Sequence, residues 1–174
     1  RRQLGILTGD QYQIIFVDTP GLHVPQHKLG DFMNQEAVES LKDADIIVWL
    51  LDASAPVTSE DRLIADRLRS VKRLPPVLIC LSKCDLISEE ILYERKKNAL
   101  ELFPAKEMIA ISALNQTGLD ELKQKILSTL PFGEAFFDGD TVTDYYERDI
   151  AAELIRESVL TFVRDEVPHC IAVR

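Results

Sequence analysis

The sequence predicts an α/β fold with a mostly parallel sheet, and two features of its apolar pattern support this prediction. Continuous apolar runs of strand length recur along the chain, at Ile46–Leu51, Pro76–Leu81 and Met108–Ile111. Such runs are typical of strands covered on both faces, as in parallel sheets. Segments with helical spacing alternate with these runs, which indicates βαβ units with right-handed crossovers and helices on both faces of the sheet.

Two short strands open the chain, Leu4–Thr8 and Tyr12–Val17. Gly9 and Asp10 between them favour a hairpin turn, so we expect one antiparallel edge hairpin. Apolar residues three and four apart predict helices at residues 32–41, 59–71 and 89–102, and a last helix after Thr117. Thr117, with Asp120 three residues later, is the predicted N-cap of that last helix.

Composition divides the chain into three parts. Residues 1–130 carry the alternating strands and helices, and residues 131–146 form a linker rich in Pro, Gly, Asp, Thr and aromatic residues. A further helix, Arg148–Glu166, is followed by the strand-like segment His169–Val173. A lone helix and strand cannot bury a core of their own. This part is therefore either docked on the first domain or the truncated start of another domain.

The overall composition is that of a soluble globular protein, 46% hydrophobic and 28% charged. A net charge of −9 argues against non-specific attraction to nucleic acid or anionic membranes. The longest apolar run is too short to span a bilayer, and no signal peptide is recognisable at the first residues. An odd count of three cysteines does not favour a disulfide framework, so the cytoplasm is the expected compartment.

Polar residues follow three of the predicted strands. These segments are Asp18-Thr19-Pro20-Gly21, Ser82-Lys83-Cys84-Asp85 and Ser112-Ala113. The first alone is ordinary turn chemistry. Ligands of open parallel sheets, however, bind beyond the carboxyl ends of the strands. Three such segments at one edge therefore predict a nucleotide site.

The residue types suit a guanine nucleotide. Asp85 would accept hydrogen bonds from two guanine N–H groups, and the Ala113 amide would donate to guanine O6. Lys83 would lay its alkyl stem along the base and sugar. Asp18 would hold Mg²⁺ through water, and the Gly21 amide would meet the γ-phosphate.

These segments resemble those of translational GTPases and, more closely, of the Era family of ribosome-associated GTPases. The resemblance is carried by "DTPGLH" at Asp18–His23, "SKCD" at Ser82–Asp85 and "SALNQTGLDEL" at Ser112–Leu122. The segment "ERDIAAELIRESVLTFVRDEVPHCIAV", Glu147–Val173, is similar to the entry helix and first strand of the KH-type RNA-binding domain that follows the GTPase domain in Era. This segment separates Era from other GTPases that share the first three motifs.

The resemblance implies a P-loop GTPase-type domain at residues 1–130, a linker at 131–146 and the start of an α+β KH-type domain at 147–174. It implies GTP binding and hydrolysis with Mg²⁺ as cofactor, and a role in small ribosomal subunit assembly through binding of 16S-type rRNA. It implies a cytoplasmic protein, with peripheral association at the inner membrane as a further option. No catalytic residue is assigned, Asp18 is the metal residue, and the nucleotide-binding residues implied are Asp18, Thr19, Pro20, Gly21, Leu22, Ser82, Lys83, Cys84, Asp85, Ser112, Ala113 and Leu114.

Two departures from the family pattern qualify these expectations. No G-x-x-x-x-G-K-[ST] stretch occurs in the 174 residues, so the chain is interpreted as an interior fragment that is inactive and binds GTP poorly by itself. The second departure is Ser82, where the family pattern favours Asn. The Asn side chain carries both a donor and an acceptor group, which a single hydroxyl cannot fully replace, so weaker nucleotide binding is expected.

Two alternative functions stay open. The first is an RNA- or ribosome-binding module with an inert nucleotide site, which the absence of a phosphate loop from the whole gene would favour. The second is a related GTPase of tRNA modification or ribosome assembly without a KH domain. A G-x-x-G loop soon after Arg174 would exclude the second.

Overall fold

The computed structural model of the chain describes residues 3–18, 41 and 43–141. This part contains five strands and three helices: β1 Gln3–Gly9, β2 Tyr12–Asp18, β3 Ile47–Asp52, α1 Ser59–Ser70, β4 Val77–Ser82, α2 Glu89–Leu102, β5 Glu107–Ala110 and α3 Leu119–Thr129. These elements lie within two residues of the predicted ones. The helical pattern at residues 32–40 and the predicted KH-type segment at 147–174 lie outside the described residues, and the proposed domain boundaries stay predictions.

The chain divides into two compact units. One unit contains the described residues up to Asp18 together with those from Ala135 onward, and the other contains the described residues between them, up to Glu134. In the first unit, β1 and β2 form the predicted antiparallel hairpin, which pairs Gly9 with Tyr12 at its turn. Within the described part of the chain, β1 and β2 form a two-stranded sheet.

The second unit contains a parallel sheet of three strands in the order β3-β4-β5. Asp52 is aligned with Ser82, and Leu81 with Ala110. The helix α1 connects β3 to β4, and α2 connects β4 to β5, as expected of βαβ units. Because the strands are parallel, their carboxyl ends meet at one edge of the sheet.

The core of the second unit lies between this sheet and helices α1 and α2. Alternate residues of β3 and β4 contribute to it, with Ala65 and Leu68 from α1 and Ala99 and Leu102 from α2. Removing a fully buried side chain such as Leu68 would cost about 2–5 kcal/mol. Trp49 packs edge-to-face on Phe103, with ring centroids 5.9 Å apart, and is therefore a core residue.

The predicted N-cap of α3 is wrong by one residue. The cap is Gly118, whose φ is 74°, and not Thr117. The carbonyl of Thr117 instead accepts a hydrogen bond from the Ser112 N–H at 3.0 Å. A Cβ at position 118 would lie 2.4 Å from the carbonyl oxygen of Ala110, so the backbone passes the end of β5 where only glycine fits. Tertiary packing thus overrides the capping preference of threonine.

Candidate nucleotide-binding site

The segment that follows β4 carries four of the predicted site residues, Ser82 to Asp85. Ser82 is the last residue of the strand, and it connects β4 to β3 through both its main chain and its side chain. Its carbonyl accepts from the Ala53 N–H at 2.9 Å, and its hydroxyl donates to the Leu51 carbonyl at 3.1 Å. The single hydroxyl proton of Ser82 is therefore used within the sheet.

Lys83 has a left-handed backbone, with φ 56° and ψ 35°. This conformation turns the chain sharply out of β4 and into the short 3₁₀ turn Cys84–Leu86. The Leu86 N–H closes the turn by donating to the Lys83 carbonyl at 3.1 Å. Non-glycine residues adopt positive φ infrequently, and such positions are concentrated at functional sites.

The side chain of Lys83 forms an ion pair with Asp52 at the end of β3. Nζ of Lys83 lies 2.6 Å from Oδ2 of Asp52, while Oδ1 accepts hydrogen bonds from the N–H and hydroxyl of Ser54. The hydrogen bond from Lys83, followed by that from the Ser54 hydroxyl, lowers the pKa of the Asp52 carboxyl below its usual value. Asp52 was not among the predicted site residues. The signal that points to it is a carboxylate placed directly after an apolar strand.

The segment that follows β5 lies beside the one that follows β4. The Ile111 N–H donates to the Leu81 carbonyl at 2.8 Å, and the Cys84 N–H donates to the Ile111 carbonyl at 3.2 Å. These two hydrogen bonds continue the pairing of the strands beyond their ends. The half-buried Cys84 and the exposed Asp85 are thereby held next to the start of the Ser112-Ala113-Leu114 turn.

That turn is closed on itself. Ser112 is fully buried, its hydroxyl accepts from the Asn115 N–H at 3.1 Å, and it forms an isolated antiparallel bridge with Thr117. Ala113 and Leu114 lie exposed at the tip, with 82% of Leu114 accessible. The buried Ser112 therefore anchors a turn whose exposed residues, Ala113 and Leu114, lie at the carboxyl edge of the sheet.

The first predicted segment is described only at its beginning. Asp18 is the last residue of β2 and is exposed, whereas Thr19, Pro20, Gly21 and Leu22 lie outside the described residues. An exposed carboxylate is a hard oxygen donor, which suits Mg²⁺ held through water together with nucleotide phosphates. Among the described residues, no three His, Cys, Asp or Glu side chains form a cluster that could hold a metal by themselves.

The described residues have the architecture of a GTPase domain: a parallel sheet that carries a Ser-Lys-Cys-Asp turn and a Ser-Ala-Leu turn side by side at its carboxyl edge. Residues 1–83 match the family of 50S ribosome-binding GTPases. The GTPase Era of Thermoanaerobacter sp. (strain X514) is 42% identical over 169 residues, 97% of this chain and 55% of the relative. The chain is thus similar to the Era GTPases over nearly all of its own length.

Solved structures show the same similarity. A crystal structure of Era in complex with MgGDPNP and nucleotides 1506–1542 of 16S ribosomal RNA matches 97% of this chain with a TM-score of 0.82 and 35% identity, over 57% of its own length. A variant of Aquifex aeolicus Era bound to GDP·AlF4⁻ matches 96% of the chain and 57% of its own length, with a TM-score of 0.80 and 34% identity. The chain therefore spans little more than half the length of the relatives it matches.

No described helix is both long and apolar enough to cross a membrane.

Proposed function

We propose that the protein that carries this chain binds and hydrolyses GTP and acts in small ribosomal subunit assembly by binding rRNA. The observation that carries this proposal is the hydrogen bond from the Cys84 N–H to the Ile111 carbonyl. It holds the Lys83–Asp85 turn beside the Ser112–Leu114 turn, which supports a shared role of Asp85 and the Ala113 amide in binding the guanine edge. The similarity to Era structures determined with bound guanine nucleotides supports the proposal.

In the proposed complex, Asp85 accepts hydrogen bonds from the guanine N–H groups and the Ala113 amide donates to O6. Adenine carries a donor at the position of O6 and leaves these groups mismatched. The Lys83 stem covers the base, while Ser82, Cys84, Ser112 and Leu114 shape the two turns. Asp18, with the following Thr19-Pro20-Gly21-Leu22, is assigned to the phosphate end, where Asp18 would hold Mg²⁺ through water. Bound Mg²⁺ would offset phosphate charge during phosphoryl transfer.

The RNA partner is proposed to be 16S-type rRNA. Two similarities point in different directions: the matching family is described as binding the 50S ribosome, whereas one Era structure holds 16S ribosomal RNA. We favour 16S-type rRNA because the Era structure matches 97% of this chain, while the family match ends at residue 83. The RNA would be bound through a KH-type domain beginning at residue 147, after a GTPase domain at 1–130 and a linker at 131–146.

The proposed location is the cytoplasm, where ribosomes are assembled. Peripheral association with the inner membrane is a further prediction. The net charge of −9 provides no general attraction to anionic lipid, so such association would require a local basic surface.

Replacing Asp85 with Asn in the full-length protein tests the guanine site. The amide would place a donor opposite a guanine N–H, a mismatch that costs about 1–3 kcal/mol, or roughly 5- to 150-fold in affinity. We expect weaker GTP binding and improved binding of xanthosine triphosphate, measured by calorimetric titration with Mg²⁺. The exposed Asp120, in the first turn of α3, provides the matched control, since Asp120→Asn should leave both affinities unchanged. Unchanged GTP affinity in Asp85→Asn would place the base site elsewhere.

One observation favours the alternative of an RNA-binding module with an inert nucleotide site. The Ser82 hydroxyl donates to the Leu51 carbonyl and so has no second proton for a nucleotide or a phosphate loop. The same titration separates the two functions. RNA binding by the full-length protein with no detectable binding of GTP or GDP would establish the inert module and refute the proposed GTPase.

A further inference from the structure

The carboxylate of Asp52 lies at the end of β3 and reaches the proposed base-binding turn. The parallel register aligns Asp52 with Ser82. Asp52 therefore lies beside Lys83, the residue that follows Ser82. Oδ2 of Asp52 accepts a hydrogen bond from Nζ of Lys83 at 2.6 Å. The ion pair therefore joins the ends of two neighbouring strands at the carboxyl edge of the sheet.

Asp52 is held in place independently of Lys83. Its second oxygen, Oδ1, accepts the N–H of Ser54 at 2.9 Å and the Ser54 hydroxyl at 2.5 Å, in a local turn of the kind that aspartate commonly forms. The two oxygens thus have separate roles: Oδ1 fixes the carboxylate to its own chain segment, and Oδ2 is directed to the lysine. The Asp52 carboxylate is therefore already oriented towards Lys83 by its contacts with Ser54.

Lys83 has two energetically unfavourable features that the ion pair with Asp52 would offset. Its backbone lies in the left-handed region, which disfavours residues with a Cβ. Its side chain is 58% exposed and carries several rotatable bonds whose freedom is lost when a ligand is bound. A lysine stem that is ordered before the ligand arrives loses less of this freedom on binding.

We infer that Asp52 is a positioning residue for guanine nucleotides: it holds the Lys83 ammonium so that the lysine stem lies along the bound base. This inference rests on the proposed function, in which Lys83 covers the base. Asp52 acts through Lys83 and does not itself contact the nucleotide. Neutralising Asp52 is expected to weaken GDP binding about two- to fivefold, the range for an exposed ion pair.

A double-mutant cycle in the full-length protein tests this inference. Mg²⁺-GDP affinity would be measured for the parent, Asp52→Asn, Lys83→Met and the double variant. We expect Asp52→Asn to weaken binding in the parent but to have no further effect beside Lys83→Met, because the partner is already absent. Asp52→Glu, which keeps the charge, should recover part of the affinity.

The chain offers a matched control in a second ion pair. Nζ of Lys125 lies 2.8 Å from Oε2 of Glu107, with side-chain exposures of 40% and 54% that are similar to those of the Lys83–Asp52 pair. Glu107 begins β5, at the opposite end of the strand from the site. Glu107→Gln should leave the affinity for GDP unchanged.

The possible failures are distinguishable. Parent-like GDP affinity in Asp52→Asn, or losses that add fully in the double variant, would overturn the role of Asp52 but leave the base site standing. If Lys83→Met binds GDP as tightly as the parent, the role of Asp52 is refuted, because the ammonium that it holds would then contribute nothing to binding. The base site itself is refuted only if Asp85→Asn also leaves the affinity for guanine nucleotides unchanged.

Discussion

The side-chain amide of Gln13 exchanges two hydrogen bonds with the main chain of Phe137. Nε2 donates to the Phe137 carbonyl at 3.0 Å, and Oε1 accepts from the Phe137 N–H at 3.0 Å. Oε1 also accepts from the Phe136 N–H at 2.9 Å, and Nε2 donates to the Thr8 hydroxyl at 3.1 Å. A carboxamide satisfies a peptide group in this way because it carries both a donor and an acceptor. One glutamine of β2 therefore holds two residues of the predicted linker, Phe136 and Phe137.

Replacing Gln13 with Met should release this segment while keeping a side chain of similar length. The backbone groups of Phe136 and Phe137 would lose their partners on the hairpin, at a cost of about 1 kcal/mol for each hydrogen bond lost. We expect faster hydrogen exchange at these two amides, measured by NMR or mass spectrometry. Thr8→Val is the control, since it removes only the hydrogen bond from Gln13 to Thr8. Parent-like exchange in Gln13→Met would show that the segment is held by other contacts.

Gly118→Ala should destabilise the fold. The new Cβ would lie 2.4 Å from the Ala110 carbonyl oxygen, at a backbone φ of 74° that alanine disfavours. The strain alone costs about 1–3 kcal/mol. The midpoint of chemical unfolding should fall accordingly. At Gly133 a Cβ would meet nothing within 4 Å, so Gly133→Ala should change stability by less than about 0.5 kcal/mol. Equal effects of the two substitutions would contradict this account.

Ser82→Asn is expected to tighten GDP binding in the full-length protein. The amide offers a donor and an acceptor, whereas the serine hydroxyl has one proton, which it donates to the Leu51 carbonyl. One additional hydrogen bond is worth about 0.5–1.5 kcal/mol, roughly two- to tenfold in affinity. Ser82→Ala, which removes the bond to Leu51 without adding a partner for the ligand, should not tighten binding. A gain in Ser82→Ala equal to that in Ser82→Asn would refute the explanation.

Cys80 should resist alkylation in the native protein. Burial raises the pKa of the Cys80 thiol to about 11, whereas Cys84 is half-buried near the edge of the sheet. At pH 8 only about one part in a thousand of a thiol with this pKa is the reactive thiolate. Iodoacetamide at pH 8 should therefore modify Cys84 well before Cys80, as located by peptide mass spectrometry. Rapid modification of Cys80 under native conditions would contradict its place in the core.

The same shift has a consequence for stability at high pH. An acidic group whose pKa is raised on folding holds its proton longer in the native state than in the unfolded state. The Cys80 thiol should therefore leave stability unchanged below pH 9.0, its ordinary pKa, and lower it as the pH rises towards about 11. Cys80→Ala should reduce this alkaline loss, as measured by unfolding at pH 8 and pH 10.5.

The sequence by itself determined the fold class and most of the elements. The strand β4 is buried over Val77–Leu81, so it appears as a continuous apolar run, and α2 occupies the predicted Glu89–Leu102. Two polar segments of the predicted site were also recognisable, because the carboxyl ends of parallel strands meet at one edge. Their assignment to guanine stays a prediction that the substitutions above would test.

Only the tertiary structure decided which groups hold these segments in place. The Asp52–Lys83 ion pair joins residues 31 positions apart, and the Gln13–Phe137 hydrogen bonds join residues 124 positions apart. No local periodicity encodes such pairs. The cap of α3 also depends on a contact outside the helix. The cap is Gly118 and not the expected Thr117, because the carbonyl of Ala110, eight residues earlier in β5, leaves no room for a side chain. Hydrophobic periodicity depends on neighbours along the chain, whereas polar contacts of this kind depend on distant residues that meet only after the core has formed.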